Sequence, residues 1–321
     1  MDMLDKVMDQ IPDFVFQFFA DKNPIEIGLF GPSRIGKTTL IASMMEEFKA
    51  YTDKLAKIEN ECLILDAEET TKKILSRKKN ELSLGIGSKS FKVGSLSSTS
   101  SHETFELRLS SPGDDGFNPI IRLNDFPGGW ITDPDRLKEL KIKDWSIVII
   151  PVDAAVIMES RQKKQMLLAR ELLGVNHVED FVRTWLSMRN GQPGLCIFAP
   201  VKCETYFTLP PMASNLRDQS QVLLNRTREY YGGAISQLEN KDYISCLYMP
   251  VNTIGCCSLK ISSWSDSEFN AVYSIAPYSI DGQSGNKWLP YGPANIILEL
   301  CKFIAEIIRH SSINIRAYRH F

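Results

Sequence analysis

The chain has 321 residues, a formal net charge of −2 and seven cysteines. This length can bury a large core, and the near-neutral charge excludes a general attraction to nucleic acid or to an anionic membrane. An odd cysteine count without a C-x-x-C pair favours free thiols in a reducing compartment. The sequence shows no signal peptide and no apolar run long enough to cross a bilayer, so we expect a cytoplasmic protein.

The first 22 residues form a separate feature of the sequence. Their apolar residues follow one helical stripe, which Pro12 interrupts. Acidic residues outnumber basic ones on the polar side, which favours a helix packed on the domain or on a partner over a membrane-surface helix. We therefore predict an N-terminal helix over residues 1–22 and a single elaborated domain over residues 23–321.

A phosphate-binding loop is predicted directly after the first strand, which covers residues 25–30. The following run fits the pattern G-x-x-x-x-G-K-[ST], and helical spacing begins at Thr39. Backbone N–H groups at such a helix N-terminus converge on phosphate oxygens. Lys37 would bridge the outer phosphates, and the Thr38 hydroxyl suits Mg²⁺. The candidate phosphate-binding residues are Gly31, Ser33, Arg34, Ile35, Gly36, Lys37, Thr38 and Thr39.

A long insertion is predicted after this loop. Residues 46–84 are charged and helical in pattern, and residues 85–101 are rich in Gly, Ser and Lys, which is typical of a mobile switch loop. Thr99 is the candidate that completes the coordination of Mg²⁺. The neighbouring serines are competing candidates, and a plain polar loop remains the alternative.

A second chemical signal follows two short strands, over residues 104–109 and 119–123, that we expect to pair antiparallel. Asn124 and Asp125 follow the second strand, and Gly128 comes three residues after Asp125. Such a carboxylate can reach Mg²⁺, usually through water, and the glycine N–H can contact a γ-phosphate. A turn that only caps the strand is the alternative. Asp153, after a buried strand, competes for the acidic role, but we interpret it as a strand-end turn or cap.

A third signal concerns the nucleotide base. A buried strand over residues 195–200 leads into Val201, Lys202, Cys203 and Glu204. Here the chain resembles the P-loop GTPases, whose base-recognition motif is Asn/Thr-Lys-x-Asp. The resemblance implies that the Lys202 stem covers a purine ring and that Glu204 accepts hydrogen bonds from guanine N1–H and the exocyclic amine. Val201 and Glu204 depart from the pattern, and a surface Lys and Glu in a loop is the alternative.

The resemblance extends over most of the chain. After a strand at residues 243–249, Thr253 and Ile254 fall where GTPases place a short loop against guanine O6. Within the TRAFAC class, the chain most resembles the bacterial double-GTPase and GTPase-associated conflict-system families, which are tied to protein partners. The implied fold is a three-layer α/β Ras-like P-loop NTPase with a mostly parallel sheet and one antiparallel edge pair. Insertions are expected at residues 50–98 and 256–292.

The residues that would support hydrolysis are Lys37, Asp125, Gly128 and, as an in-chain cation, Arg34. Gly129 stands where Ras-like proteins carry the glutamine that orients water, so we predict slow GTP hydrolysis that awaits a partner. A nucleotide-binding scaffold with little hydrolysis, or a P-loop kinase, remains an alternative. The four histidines show no ligand spacing, which argues against a metalloenzyme.

Overall fold

The computed structural model describes residues 24–55, 64–87, 90–92, 101–110, 120–206, 219–255, 257–275, 278–280, 283–285, 290, 292–309 and 319–320. The predicted N-terminal helix and Thr99 lie outside these ranges. The strands are β1 (Ile25–Leu29), β2 (Ile64–Ala67), β3 (Ser90–Lys92), β4 (Glu103–Ser110), β5 (Ile120–Asp125), β6 (Ile147–Asp153), β7 (Gly194–Val201), β8 (Ile244–Tyr248), β9 (Cys257–Trp264), β10 (Phe269–Ile275), β11 (Tyr278–Ile280), β12 (Gln283–Gly285) and β13 (Arg319–His320).

Helices connect most of these strands. The α-helices are α1 (Lys37–Leu55), α2 (Glu69–Gly87), α3 (Pro134–Glu139), α4 (Ala154–Glu159), α5 (Lys163–Leu172), α6 (Val175–Arg189), α7 (Ser220–Glu239) and α8 (Pro293–Arg309). Short 3₁₀ helices cover Gly128–Thr132 and Ile142–Asp144. The helix predicted after the phosphate-binding loop is therefore α1, and the charged insertion contains α2.

An eight-stranded sheet, in the order β13-β8-β7-β6-β1-β5-β4-β2, forms the centre of the described fold. All neighbours from β13 to β5 pair in parallel. Antiparallel pairing is confined to one edge, where β4 runs against both β5 and β2. The predicted α/β fold with a mostly parallel sheet is thus confirmed. After β1 the chain adds strands on one side (β2, β4 and β5) and then crosses to the other side (β6, β7 and β8). The carboxyl end of β1 is therefore a switch point, where open α/β sheets bind ligands.

Two hydrophobic cores lie on opposite faces of this sheet. On one face, α1 and α8 cover β1, β5 and β6, with Leu40, Ile41 and Met44 among the buried side chains. On the other face, α6 and α7 pack Trp185 and Tyr231 against β6 and β7. Both β6 and β7 are buried along their whole length, because parallel strands covered by helices on both faces need apolar side chains in both directions. The result is three layers.

A second, three-stranded antiparallel sheet has the order β3-β10-β9. Its strand β3 comes from the first predicted insertion, and β9 and β10 come from the second. The backbone N–H of Leu259 in β9 donates to Thr205 Oγ1 at 2.7 Å. The sequence predicts insertions at residues 50–98 and 256–292 but gives no indication that the two pair with each other.

Candidate functional site

The loop between β1 and α1 has the backbone of an anion-binding turn. Arg34 and Gly36 adopt positive φ angles of 62° and 111°, a region that favours glycine at position 36. Helix α1 begins at Lys37, and its first hydrogen bond joins Leu40 N to Gly36 O at 2.8 Å. N–H groups at the first turn of a helix, together with the helix dipole, favour a bound anion. The Arg34 side chain is exposed.

Lys37 is buried inside the loop, with only 6% of its surface exposed. Its Nζ donates to the carbonyl oxygens of Gly31 at 2.8 Å and Pro32 at 3.0 Å. The ammonium lies 5.8 Å from the Phe126 ring centroid. Burial lowers the pKa of Lys37 from 10.5 to about 8, and the nearby Asp125 opposes this effect. A buried ammonium is suited to receive a negatively charged ligand.

A hydroxyl and a carboxylate meet beside this lysine. Thr38 Oγ1 donates to Asp125 Oδ2 at 2.5 Å, and Asp125 is fully buried at the end of β5. These are hard oxygen donors of the kind that Mg²⁺ prefers, usually together with phosphate oxygens and water. The donor chemistry therefore fits the predicted metal. The described residues contain no group of three or more His, Cys, Asp or Glu side chains that could hold a metal by themselves.

The turn after Asp125 packs directly on the phosphate-binding loop. A Cβ atom added to Gly128 would lie 1.9 Å from the Ser33 backbone nitrogen and 2.2 Å from the Pro32 carbonyl carbon. Only glycine permits this approach of two backbones. At Gly129, in contrast, an added Cβ would meet nothing within 4 Å. The two adjacent glycines thus have different roles, and only the first is required by packing.

Lys202 connects the loop after β7 to the phosphate-binding loop. Its backbone has a positive φ of 59°, and its Nζ donates to Arg34 O at 3.3 Å. The same ammonium forms an ion pair with Asp153 Oδ2. Asp153 Oδ1 accepts from the backbone N–H groups of Ala155 and Val156 and caps α4. The interpretation of Asp153 as a strand-end cap is therefore confirmed.

Glu204 is buried and faces the loop after β8. Its Oε1 accepts from the backbone N–H groups of Ile254 at 2.8 Å and Gly255 at 3.4 Å. Its Oε2 is buried without a hydrogen-bond partner within the part of the chain that the structure describes. Burial raises the pKa of Glu204 above its ordinary value, and the two N–H groups partly offset this. The structure brings together the two elements predicted for base recognition, but Glu204 already uses the Ile254 N–H.

Helix α1 supports both ends of the site. The buried Ser43 hydroxyl lies 2.7 Å from Thr39 O and 2.8 Å from Thr253 O, which joins the helix to the loop after β8, residues 249–255, here called the base loop. One turn later, Glu47 accepts from the N–H groups of Gly292 at 2.9 Å and Ala294 at 2.7 Å, at the start of α8. Sequence reasoning missed Ser43 and Glu47, because their partners lie more than 200 residues away in the chain.

Hydrogen bonds to Glu159 connect the residues that follow Glu204 to the second sheet. Tyr206 Oη donates to Glu159 Oε1 at 3.0 Å, and Ser262 Oγ of β9 donates to Glu159 Oε2 at 3.2 Å. The Trp264 indole N–H donates to Glu159 O at 3.2 Å. The second sheet is therefore fastened to the loop that carries Glu204.

The predicted site residues fall into two neighbouring groups. One group surrounds the start of α1 and contains Gly31, Ser33, Arg34, Ile35, Gly36, Lys37, Thr38, Thr39, Asp125 and Gly128. The other contains Lys202, Glu204, Thr253 and Ile254. The bond from Lys202 to Arg34 O joins them. Ile35 is buried and Thr253 is only 3% exposed, so both would act mainly through their backbones.

Known proteins resemble this chain only at the level of solved structures. No protein-family model matches the sequence, and no curated protein matches it. Among solved structures, the chain is similar to "Structure of methanosarcina barkeri Roco2 RocCORdC bound to GDP", with a TM-score of 0.30 and 13% identity over 72% of this chain. The match covers 44% of that chain. A likeness of this size carries no conclusion about function.

In the part of the chain that the structure describes, no helix is long and apolar enough to span a membrane.

The four cysteines at positions 196, 203, 246 and 257 are buried and form no disulfide, in keeping with the expected free thiols.

Proposed function

We propose that this protein binds GTP with Mg²⁺ and hydrolyses it slowly to GDP and phosphate, as a nucleotide-dependent switch that acts with a protein partner. The observation that carries the proposal is the meeting of three groups at the carboxyl edge of the sheet. The buried Lys37 ammonium, the Thr38 hydroxyl and the Asp125 carboxylate converge beside an anion-binding turn. This set suits a triphosphate with its metal.

The phosphate half of the ligand would lie on the loop and the start of α1. The backbone N–H groups of Ser33 to Thr39 would donate to phosphate oxygens. Lys37 would exchange its bonds to Gly31 O and Pro32 O for charge-assisted bonds to the outer phosphates. Arg34, whose side chain is exposed, would be available to neutralise charge on the γ-phosphate.

Thr38 and Asp125 would hold Mg²⁺, with Thr99 as a third candidate from outside the described residues. The ion would neutralise negative charge that builds on the phosphates. Gly128, packed against Ser33, would offer its N–H to the γ-phosphate. The role of Gly128 depends on the close approach of its backbone to that of Ser33.

Lys202 and Glu204 would contact the base, with Thr253 and Ile254 behind it. Glu204 Oε2, which has no described partner, could accept from the N1–H and exocyclic amine of guanine. Adenine offers no such pair of donors, so an acidic group at this position selects guanine. Glu204 Oε1 already accepts from the Ile254 N–H. Guanine O6 would therefore have to share that N–H with Glu204 or take it over.

A non-hydrolysing nucleotide-binding scaffold is the second candidate. It is favoured by Gly129, which faces open space and offers no side chain to orient water. A protein partner that supplies an arginine would raise hydrolysis by about 10³–10⁵-fold. The isolated chain is therefore expected to turn over on the order of 10⁻³ s⁻¹ or more slowly.

The proposal is tested by the affinity of the purified chain for GTP, GDP and ATP with Mg²⁺. We expect GTP and GDP to bind at least roughly tenfold more tightly than ATP, a difference of about 1.4 kcal/mol. Equal affinity for GTP and ATP would overturn the guanine assignment. Absence of binding to all three would overturn the nucleotide site itself.

A further inference from the structure

His102 lies at the edge of the sheet where the phosphates would bind, just outside β4. In the antiparallel pairing of β4 with β5, Glu103 is opposite Asp125 and Thr104 is opposite Asn124. His102 precedes these residues and is therefore level with the turn that begins after Asp125. This is the carboxyl edge of the parallel strands, where ligands bind in sheets of this kind.

The chain of hydrogen bonds behind His102 fixes its tautomer. Asn124 Nδ2 donates to Glu26 Oε2 at 2.8 Å and to Ile27 O at 3.2 Å, so both amide hydrogens are used and the amide oxygen must face the histidine. His102 Nε2 lies 3.2 Å from that oxygen. An oxygen there can only accept, so Nε2 carries the proton, and in a neutral ring Nδ1 keeps its lone pair.

The Asn124 side chain that contacts His102 is itself held in place by its neighbours. Asn124 is buried, and Glu26 is also 3.4 Å from Arg122 Nη1, which lies in an ion-pair row with Glu106. The imidazole is exposed, and its centroid is 6.4 Å from that of the Trp130 ring, next to Gly129. One ring nitrogen is thus held by the protein, and the exposed imidazole lies beside the turn in which Gly129 has no side chain.

We infer that His102 orients the water that attacks the γ-phosphate, the role for which Gly129 has no side chain; this rests on the proposed function. Nδ1 accepts a hydrogen bond from the water, whose oxygen forms the new bond to phosphorus. The bond from phosphorus to the β–γ bridging oxygen breaks, and the electron pair leaves with GDP. The proton of the water goes to the released phosphate, so His102 ends the step unchanged.

The inference is tested in the full chain by measuring single-turnover GTP hydrolysis separately from the affinities for GTP and GDP. His102→Ala is expected to slow hydrolysis roughly tenfold or more, equivalent to about 1.4 kcal/mol of barrier height, and to leave both affinities within about threefold. His102→Gln retains a side-chain acceptor and is expected to hydrolyse faster than His102→Ala. His177→Ala, in α6, removes another, partly buried imidazole and serves as the matched control.

Unchanged hydrolysis in His102→Ala would overturn the inference, as would equal rates for His102→Gln and His102→Ala. Loss of GTP and GDP affinity together with hydrolysis would assign His102 to binding or folding and would also overturn it. Binding of GTP by the wild-type chain without measurable hydrolysis removes the role of His102 and leaves the nucleotide site. Failure of the wild-type chain to bind GTP rejects the proposed function instead.

Discussion

The phosphate half and the base half of the candidate site are built in different ways. The phosphate half is formed by residues 31–39 and one distant turn, and it depends on backbone groups, a glycine contact and Lys37. The base half gathers three segments that are far apart in the chain, and side chains such as Glu204 and Ser43 hold it together. A local backbone motif leaves a clear trace in the sequence, whereas an assembly of distant side chains does not.

The largest expected effect tests the phosphate half alone. Lys37→Ala removes the cation that would neutralise the outer phosphates, and GTP affinity should fall roughly 100-fold or more, about 2.7 kcal/mol. The fold should persist, because the change relieves a buried charge. Calorimetric titration measures the effect, with the exposed Lys164 changed to Ala as the control. GTP affinity retained in Lys37→Ala would refute the role of this half.

A second pair of variants separates the two adjacent glycines. Gly128→Ala places a methyl group 1.9 Å from Ser33 N, so the loop must shift, at a cost of about 1–3 kcal/mol in the free energy of unfolding. GTP affinity should fall with it. Gly129→Ala enters open space and should change stability by less than about 0.5 kcal/mol. Denaturant unfolding of both variants measures the contrast, and equal effects would mean that the turn does not pack on the loop as described.

The base half is tested by the preference for guanine. Glu204→Ala should abolish the roughly tenfold preference for GTP over ATP, because it removes the acceptor for the two guanine donors. Tight binding of both triphosphates should remain, since the phosphate contacts are intact. Competition binding with the two nucleotides measures this. If Glu204→Ala kept the preference, base selection would have to be assigned to other groups.

The smallest expected effect concerns pH. Burial raises the pKa of Glu204 above 4.5, so the folded protein binds this proton more tightly than the unfolded chain does. The free energy of unfolding should therefore fall as pH rises from about 4.5 through the raised pKa, and level off above it. Glu204→Gln cannot ionise and should lack this contribution. Urea unfolding of the wild type and Glu204→Gln at pH 5 and 7.5 tests this contribution. A difference in the free energy of unfolding between the two proteins that is the same at both pH values would contradict it.

The same contrast explains what the sequence could and could not predict. The loop before Lys37 and the turn from Asp125 to Gly128 each follow a buried strand, so their meeting at one sheet edge follows from the parallel fold. The role of Asp153 as a cap also follows from its position at the end of β6.

The supports of the base half could not be predicted in this way. Ser43 and Glu47 are ordinary polar residues on an amphipathic helix, and their partners are set by how α1 packs against the base loop and α8. The Asn124 contact of His102 depends on the register between β4 and β5. No local pattern encodes the pairing of β3 with β10, because their registers are fixed only after both insertions have folded.

The claim that the two halves form one nucleotide site is best tested by amide hydrogen exchange with Mg²⁺ and either GTP or ATP. With GTP, we predict added protection of residues 31–39 and 125–129 and also of residues 201–206 and 253–255. With ATP at a concentration that fills the site, protection should be confined to the phosphate half. Protection of the phosphate half alone with GTP, or of neither half, would contradict the claim.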